Sequence, residues 1–413
     1  MPSSRTSQTF RYESYRAVAA GIIETASATF LLLIAVRWFE AGALAKGLVA
    51  AGSGLGLLVT PLVVSTVEAA RIPVSRAASQ LALAGAVALG LAAIAPMLVI
   101  FVPASMIGMA AASALIPLLT QIYQDNYPEL TRGRFFSRTI MIRIISAAAF
   151  AYGAGHLLSW NIGAFRALLV IFCAALLFSS WCLAHIPSTP LHVSGGRHPF
   201  RALKYVRDDR VFRTTLIAWM LMGFANLMML PLRVEYLASP RYGLAMRPDT
   251  IALLTGVVPN IARLVMSPVW GWLFDRVNFF VLRMSLNMGF ALGIASFFTS
   301  DTMPGLVLAA AIFGVSVAGG DVAWSLWVTK VAPPERVADY MSAHTFFTGV
   351  RGLLAPIVGF ALVARWSMSA VGWLSAALIV AATLYLLPEA KRGGLVRGGT
   401  PVTPPLPADE GGP

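Results

Sequence analysis

From Ala77 to Tyr123 the chain runs for 47 residues without a single charged side chain. As one helix that stretch would be about 70 Å long, more than twice the roughly 30 Å of a bilayer's hydrocarbon. It therefore predicts two membrane-spanning helices joined by a turn, with Pro96 and Pro103 bracketing it. Composition agrees: 58% of residues are hydrophobic and 12% charged, about half the charge of an ordinary soluble domain. The net charge of +13 would suit nucleic acid only on a soluble body with a basic face. This chain has too little polar surface for such a body, so no nucleic-acid partner is expected. Cys173 and Cys182 lie nine residues apart on one apolar stretch, about 13 Å along a helix and beyond disulfide reach. No zinc-type Cys/His spacing, HExxH or GxxxxGK[ST] occurs, so no metal or other cofactor is expected.

Apolar runs of about 20 residues punctuated by charge predict twelve spans. They fall near 17–36, 47–67, two within 77–123, 139–158, 167–186, 214–232, 250–274, 284–300, 303–329, 342–364 and 366–388. A polar linker at 187–213 divides them six and six, giving bundles over 1–186 and 214–390. Residues 391–413 are rich in Pro and Gly and read as a disordered tail. With a cytoplasmic N-terminus, the inner segments hold 21 Lys and Arg and the outer loops 7. That asymmetry predicts both termini in the cytoplasm and anionic lipid as a neighbour. The membrane expected is the cell (inner) membrane.

Sliding the chain on itself by about 207 residues superposes Pro61 on Pro268, Glu68 on Asp275, Arg76 on Arg283 and Gln80 on Asn287. With a small gap Arg143 meets Arg351, while Arg263 meets Gly56. A six-helix duplication in one orientation implies two bundles related by an axis along the membrane normal.

Gly271-Trp272-Leu273-Phe274-Asp275-Arg276 resembles the G-x-L-x-D-R loop motif of the major facilitator superfamily. The equivalent stretch after span 2 keeps only Glu68 and Arg76. Tyr127 to Arg134 and the basic linker Lys204 to Arg210 are similar to that superfamily's span 4–5 loop and inter-bundle linker. The resemblance implies an all-α integral membrane fold, with twelve transmembrane helices in two pseudo-symmetric six-helix bundles. It also implies a monomer in which spans 1, 4, 7 and 10 line a central cavity. On that pattern Glu68, Arg76, Gly271, Asp275, Arg276 and Arg283 form a cytoplasmic gate. Glu68 is then expected to approach span 11 and Asp275 span 5, with Arg351 and Arg143 as clasps.

An ionisable side chain at mid-membrane costs at least about 2.5–3.5 kcal/mol. Glu24, Arg143, Arg263, Asp321 and Arg351 nevertheless lie inside spans, and must face a cavity or one another. Two readings stand for Glu24 and Asp321: proton coupling or cation binding, and fixed salt bridges to Arg263, Arg351 or Arg143. Arg263, unmatched in the repeat, is either a substrate contact or the partner of those acids. Gln121, Asn226, Asn260 and Trp324 are further cavity candidates by position. Interhelical hydrogen bonds explain the three amides equally well.

The function expected is secondary active transport of a small organic solute by alternating access. Protons are the coupling ion, and direction is unassigned with a lean to export. The alternatives are a non-transporting receptor, a lipid flippase or a membrane-embedded enzyme on the same scaffold. Catalysis is the least expected, because the one adjacent acidic pair, Asp208-Asp209, sits among arginines in the linker.

Overall fold

The computed structural model describes residues 4–191, 203–333 and 337–391. The side chains of residues 129–130, 275, 325–326, 329–330 and 337–339 are not among those described. The expected tail and most of the linker fall outside the described residues. Among the described residues, twelve helices are long and apolar enough to cross a membrane. Spans 1 to 6 are Ser4–Arg37, Ala43–Ala70, Val74–Ile94, Leu98–Asn126, Thr131–Trp160 and Ile162–Ala184. Spans 7 to 12 are Arg210–Ala238, Pro248–Phe274, Phe279–Thr299, Met303–Trp324, Tyr340–Val363 and Met368–Lys391. Ser4 and Lys391 lie on one face of the molecule, termed here the terminal face; the other is the distal face.

Two expected boundaries move. Span 1 begins at Ser4, well before the apolar run at 17. Its polar first turns stay helical because Glu13, buried, pairs with Arg16 at 2.6 Å and accepts a 2.5 Å hydrogen bond from Tyr123 of span 4. Asn126 receives Arg5 Nε at 2.6 Å and donates to Thr9 at 2.9 Å. The second change concerns Pro103, which lies inside span 4, so the turn is confined to 95–97. A proline this near a helix start costs one backbone bond and leaves the rest of the ladder intact.

The duplicated halves repeat their internal packing. Spans 3 and 6 are joined by Ser79 and Ser180 at 2.9 Å, and spans 9 and 12 by Asn287 and Thr383 at 3.1 Å. Lipid-sized side chains such as Ile94 and Val99 point outward, as expected where the solvent is hydrocarbon.

Between the bundles small residues set the distance. Spans 2 and 11 touch backbone to backbone at Gly54 and Gly352, and Gly349 lies against Leu58. Near the distal end Gly47 abuts Ile357. On the other side of the interface Gly155 of span 5 lies against Ala252 and Asp249 of span 8. A Cβ at any of these glycines would collide with the facing helix, the same reason that small residues mark close helix crossings in membranes.

Candidate functional site: a charged network at mid-depth

Span 1 and span 8 each contain one turn of π-helix, at Ala26–Phe30 and Leu253–Val257. Single π turns re-aim the residues around them and recur at functional sites. The two turns face each other, and Thr29 and Thr255 share a 2.9 Å hydrogen bond across the bundle interface. Glu24 lies just before the first turn and Arg263 six residues after the second.

Arg263 is buried and forms two ion pairs. Its Nε donates to Asp321 of span 10 at 2.6 Å, and its Nη1 donates to Glu24 of span 1 at 2.5 Å. The second bond links the two bundles. Arg143 of span 5 approaches the other Glu24 oxygen at 3.1 Å. Asn260, one turn before Arg263, accepts a longer contact of 3.5 Å from Nη1. Four of the five charges expected to be buried thus form one chain, Arg143–Glu24–Arg263–Asp321, whose formal charges cancel. The pairing removes the penalty that any one of them would carry alone in hydrocarbon.

The network is asymmetric in exposure. Arg263 is 7% exposed, whereas Glu24 is 30% and Asp321 45% exposed. The carboxylates therefore front an open space and the guanidinium backs them. That space is closed on the distal side. There Lys46 of span 2 meets Glu235 of span 7 at 2.6 Å, and Arg37 donates to the Met246 carbonyl at 2.7 Å. The Asp249 N–H donates to Ser159 Oγ at 2.8 Å. Among the described residues, the hydrogen bonds between the bundles lie at the network or distal to it. On the terminal side of the carboxylates no hydrogen bond joins the bundles among the described residues.

The other sequence-derived residues distribute differently. Gln121 donates within span 4 to Asp125 at 2.7 Å. Asn226 is half-buried with its side-chain oxygen unpaired. Trp324, half-buried one turn from Asp321, packs its ring 5.6 Å from that of His344.

Glu68 forms no ion pair among the described residues, Arg76 is exposed, and the Asp275 side chain lies outside the described set. Gly271 has open space around it, and Arg276 stacks over Trp272 at 4.6 Å. Arg143 turns to Glu24, in its own bundle, and Arg351 is buried against the Trp219 carbonyl of span 7. Among the described side chains neither arginine pairs with Glu68, and Asp275, the expected partner of Arg143, lies outside them. Arg283 is buried as well.

Sequence reasoning missed the Glu13–Arg16–Tyr123 cluster and the Lys46–Glu235 pair. Lys46 and Glu235 stand close to span ends, where charge carries no penalty that would flag them.

Residues 17–356 match the family model of the Major Facilitator Superfamily. Among solved structures, a mutant of the nucleoside transporter NupG aligns with a TM-score of 0.76 at 15% identity, covering 92% of this chain and 99% of that one. A D-xylose-proton symporter aligns at 0.64 and 16% identity, covering 92% and 95%. The xylose transporter XylE from E. coli, in a partially occluded inward open conformation, aligns at 0.63 and 16% identity, covering 93% and 95%. At these identities the likeness concerns the fold. A search of curated proteins gives no significant match. The chain belongs to the Major Facilitator Superfamily.

Proposed function

We propose that this superfamily member is a secondary active transporter of a small, polar organic solute, coupled to protons through Glu24 and Asp321. The observation that carries the reading is the bond between bundles from Arg263 to Glu24 at 2.5 Å, with Asp321 held on the same guanidinium at 2.6 Å. A single arginine serves two carboxylates on opposite bundles. Protonating Glu24 weakens the pair that joins the halves, whereas protonating Asp321 frees the guanidinium to hold Glu24 more firmly. A proton and a conformational change are then linked by charge alone. The open space beside the carboxylates supplies the solute's place, with Gln121, Asn226, Asn260 and Trp324 as uncharged polar and aromatic candidates.

Both termini are assigned to the cytoplasm, on the excess of Lys and Arg in the terminal-face segments. In that orientation, in the cell membrane, the conformation described is inward-facing. The neighbours in fold are described as nucleoside and xylose transporters, so nucleosides and sugars head the panel of solutes to test.

The test is reconstitution into liposomes containing a pH-sensitive dye. Nucleosides, sugars, amino acids and organic acids are added one at a time, and counterflow of each labelled solute is followed in parallel. A transported solute should exchange by counterflow and move protons with it. If counterflow occurs without proton movement, the coupling role of Glu24 and Asp321 is wrong. If nothing exchanges across the panel, the receptor and flippase readings take precedence.

A further inference from the structure

A second group of buried charges lies inside the C-terminal bundle, apart from the central network. Spans 7, 9 and 11 and the helix of span 10, which continues to Val331, bring together Trp219, Arg283, Trp327, His344 and Arg351. All five are buried. The Arg283 guanidinium lies 3.7 Å from the centroid of the Trp219 ring, and that of Arg351 lies 5.9 Å from the same centroid. The Trp219 and Trp327 rings are 5.9 Å apart, and His344 is 5.4 Å from the first and 5.2 Å from the second. Gly223 makes room for the Arg351 guanidinium, which a Cβ at that position would strike.

What sets this cluster apart is its unmet donors. Arg351 uses Nη1 on the Trp219 carbonyl and Nη2 on Thr348 Oγ1 at 3.4 Å, but its Nε has no partner. Both terminal nitrogens of Arg283, the indole nitrogens of Trp219 and Trp327 and both ring nitrogens of His344 are likewise buried and unpaired. Neither arginine forms an ion pair among the described residues. Stacking on Trp219 compensates a guanidinium in part, yet it satisfies none of these polar nitrogens, of which a neutral His344 contributes one donor. Arginine does not escape the cost of burial by losing its proton. Buried unpaired polar groups in such number call for a ligand, and here they agree on its chemistry. Two fixed positive charges are accompanied by neutral donors, and among the described residues no carboxylate pairs with either arginine.

We propose that this cluster is an anion site, distinct from the transport cavity, that takes a tetrahedral oxyanion of the phosphate or sulfate class. Two positive charges match a dianion, and a tetrahedral group offers more acceptor oxygens than a carboxylate does to a donor set of this size. The phosphate can come from free ions, from a soluble phosphate ester or from a lipid headgroup. The cluster lies one to two helical turns along span 10 from Asp321, with Trp324 between. Occupancy would therefore stiffen the wall of the cavity on its terminal side.

The experiment uses the purified full-length protein at constant ionic strength. Melting temperature and tryptophan fluorescence are titrated with sodium phosphate, sulfate, glycerol 3-phosphate and, as the control, chloride. Phosphate and sulfate should raise the melting temperature saturably by several degrees, where chloride does not. Arg283→Gln should weaken the apparent affinity at least tenfold. Trp327→Phe, which keeps the ring and removes one donor, should weaken it by less and guards against misfolding of the first variant. Response to phosphatidic acid in nanodiscs, with none to the soluble ions, would assign the site to a lipid headgroup. An identical response to chloride, or an undiminished response in both variants, would overturn the proposal. No transport assay is involved, so failure here leaves the transport reading untouched.

Discussion

The distal closure rests on a lysine–glutamate pair whose removal should tilt the molecule toward the opposite conformation. Lys46 Nζ lies 2.6 Å from Glu235 Oε1, with the two side chains 15% and 6% exposed. Lys46 also stands 5.5 Å from the Phe360 ring of span 11, so it ties span 2 to two helices of the other bundle. In Lys46→Met the Glu235 carboxylate stays buried without its cation, and its second oxygen already lacks a partner. Stranding one member of a buried pair costs about 3–5 kcal/mol. We take about 3 kcal/mol, because the lysine retains some access to water. That cost falls on the distally closed state alone, since opening returns Glu235 to water. At about 1.4 kcal/mol per factor of ten, the ratio of open to closed should rise by on the order of 10²-fold. Spin labels at Leu44 and Trp366, both exposed near the distal ends of spans 2 and 11, would report it by pulsed dipolar spectroscopy. Cys173 and Cys182 would first be replaced by alanine. A longer-distance population should grow in Lys46→Met and recede in the charge swap Lys46→Glu with Glu235→Lys. Distance distributions unchanged by Lys46→Met would refute the argument, because the pair would then contribute equally to both states.

Three further outcomes follow from the same geometry. Asp321→Asn should retain counterflow of a transported solute while proton-driven accumulation falls at least tenfold; undiminished accumulation would remove Asp321 from the coupling. Arg263→Gln leaves Asp321 without its cation and Glu24 with Arg143 alone; because both acids are partly exposed, it should destabilise the protein by about 1–3 kcal/mol, read as a lowered melting temperature that Asp321→Asn in the same chain partly restores. Gly54→Leu forces a side chain into the Gly352 backbone, an overpacking that typically costs about 1–3 kcal/mol; the Leu44–Trp366 distances should lengthen as they do for Lys46→Met.

The twelve spans were legible because hydrocarbon imposes a length, and a chain cannot hide 20 apolar residues in a row. The buried charges were legible for the converse reason: Glu24, Arg143, Arg263 and Asp321 are costly in isolation and must meet something. Their partners could not be read, because Glu24 on span 1 meets Arg263 on span 8 only through the docking of separate bundles. Arg143 and Arg351 show what an internal repeat does not carry. They occupy equivalent places in sequence, yet one faces a carboxylate beside the cavity and the other a tryptophan carbonyl inside its bundle. Superposed residues share a backbone position, while their surroundings are set by side chains that have diverged. The π turns at 26–30 and 253–257 leave no trace in composition, since an extra residue in a helical turn needs no special residue type. Glu13 was masked by its place in a polar tail that the structure shows to be the buried start of span 1.

Depth explains why the same kind of contact plays two roles in this molecule. Two rigid bundles rocking about an axis near mid-membrane separate most at the faces and least near the pivot. The Lys46–Glu235 and Ser159–Asp249 contacts are distal and must break for that face to open. The Thr29–Thr255 and Glu24–Arg263 bonds sit closer to the pivot, where a small rotation changes angles more than distances. A bond there can survive the transition, and its strength can set the balance between the two states without itself being the gate. Arg263 has two carboxylates and one guanidinium plane to share between them, so either acid can gain at the other's expense. Proton occupancy would then bias the rocking motion from its axis, and the glycine contacts of spans 2 and 11, which rely on shape alone, would leave the motion itself free of charge.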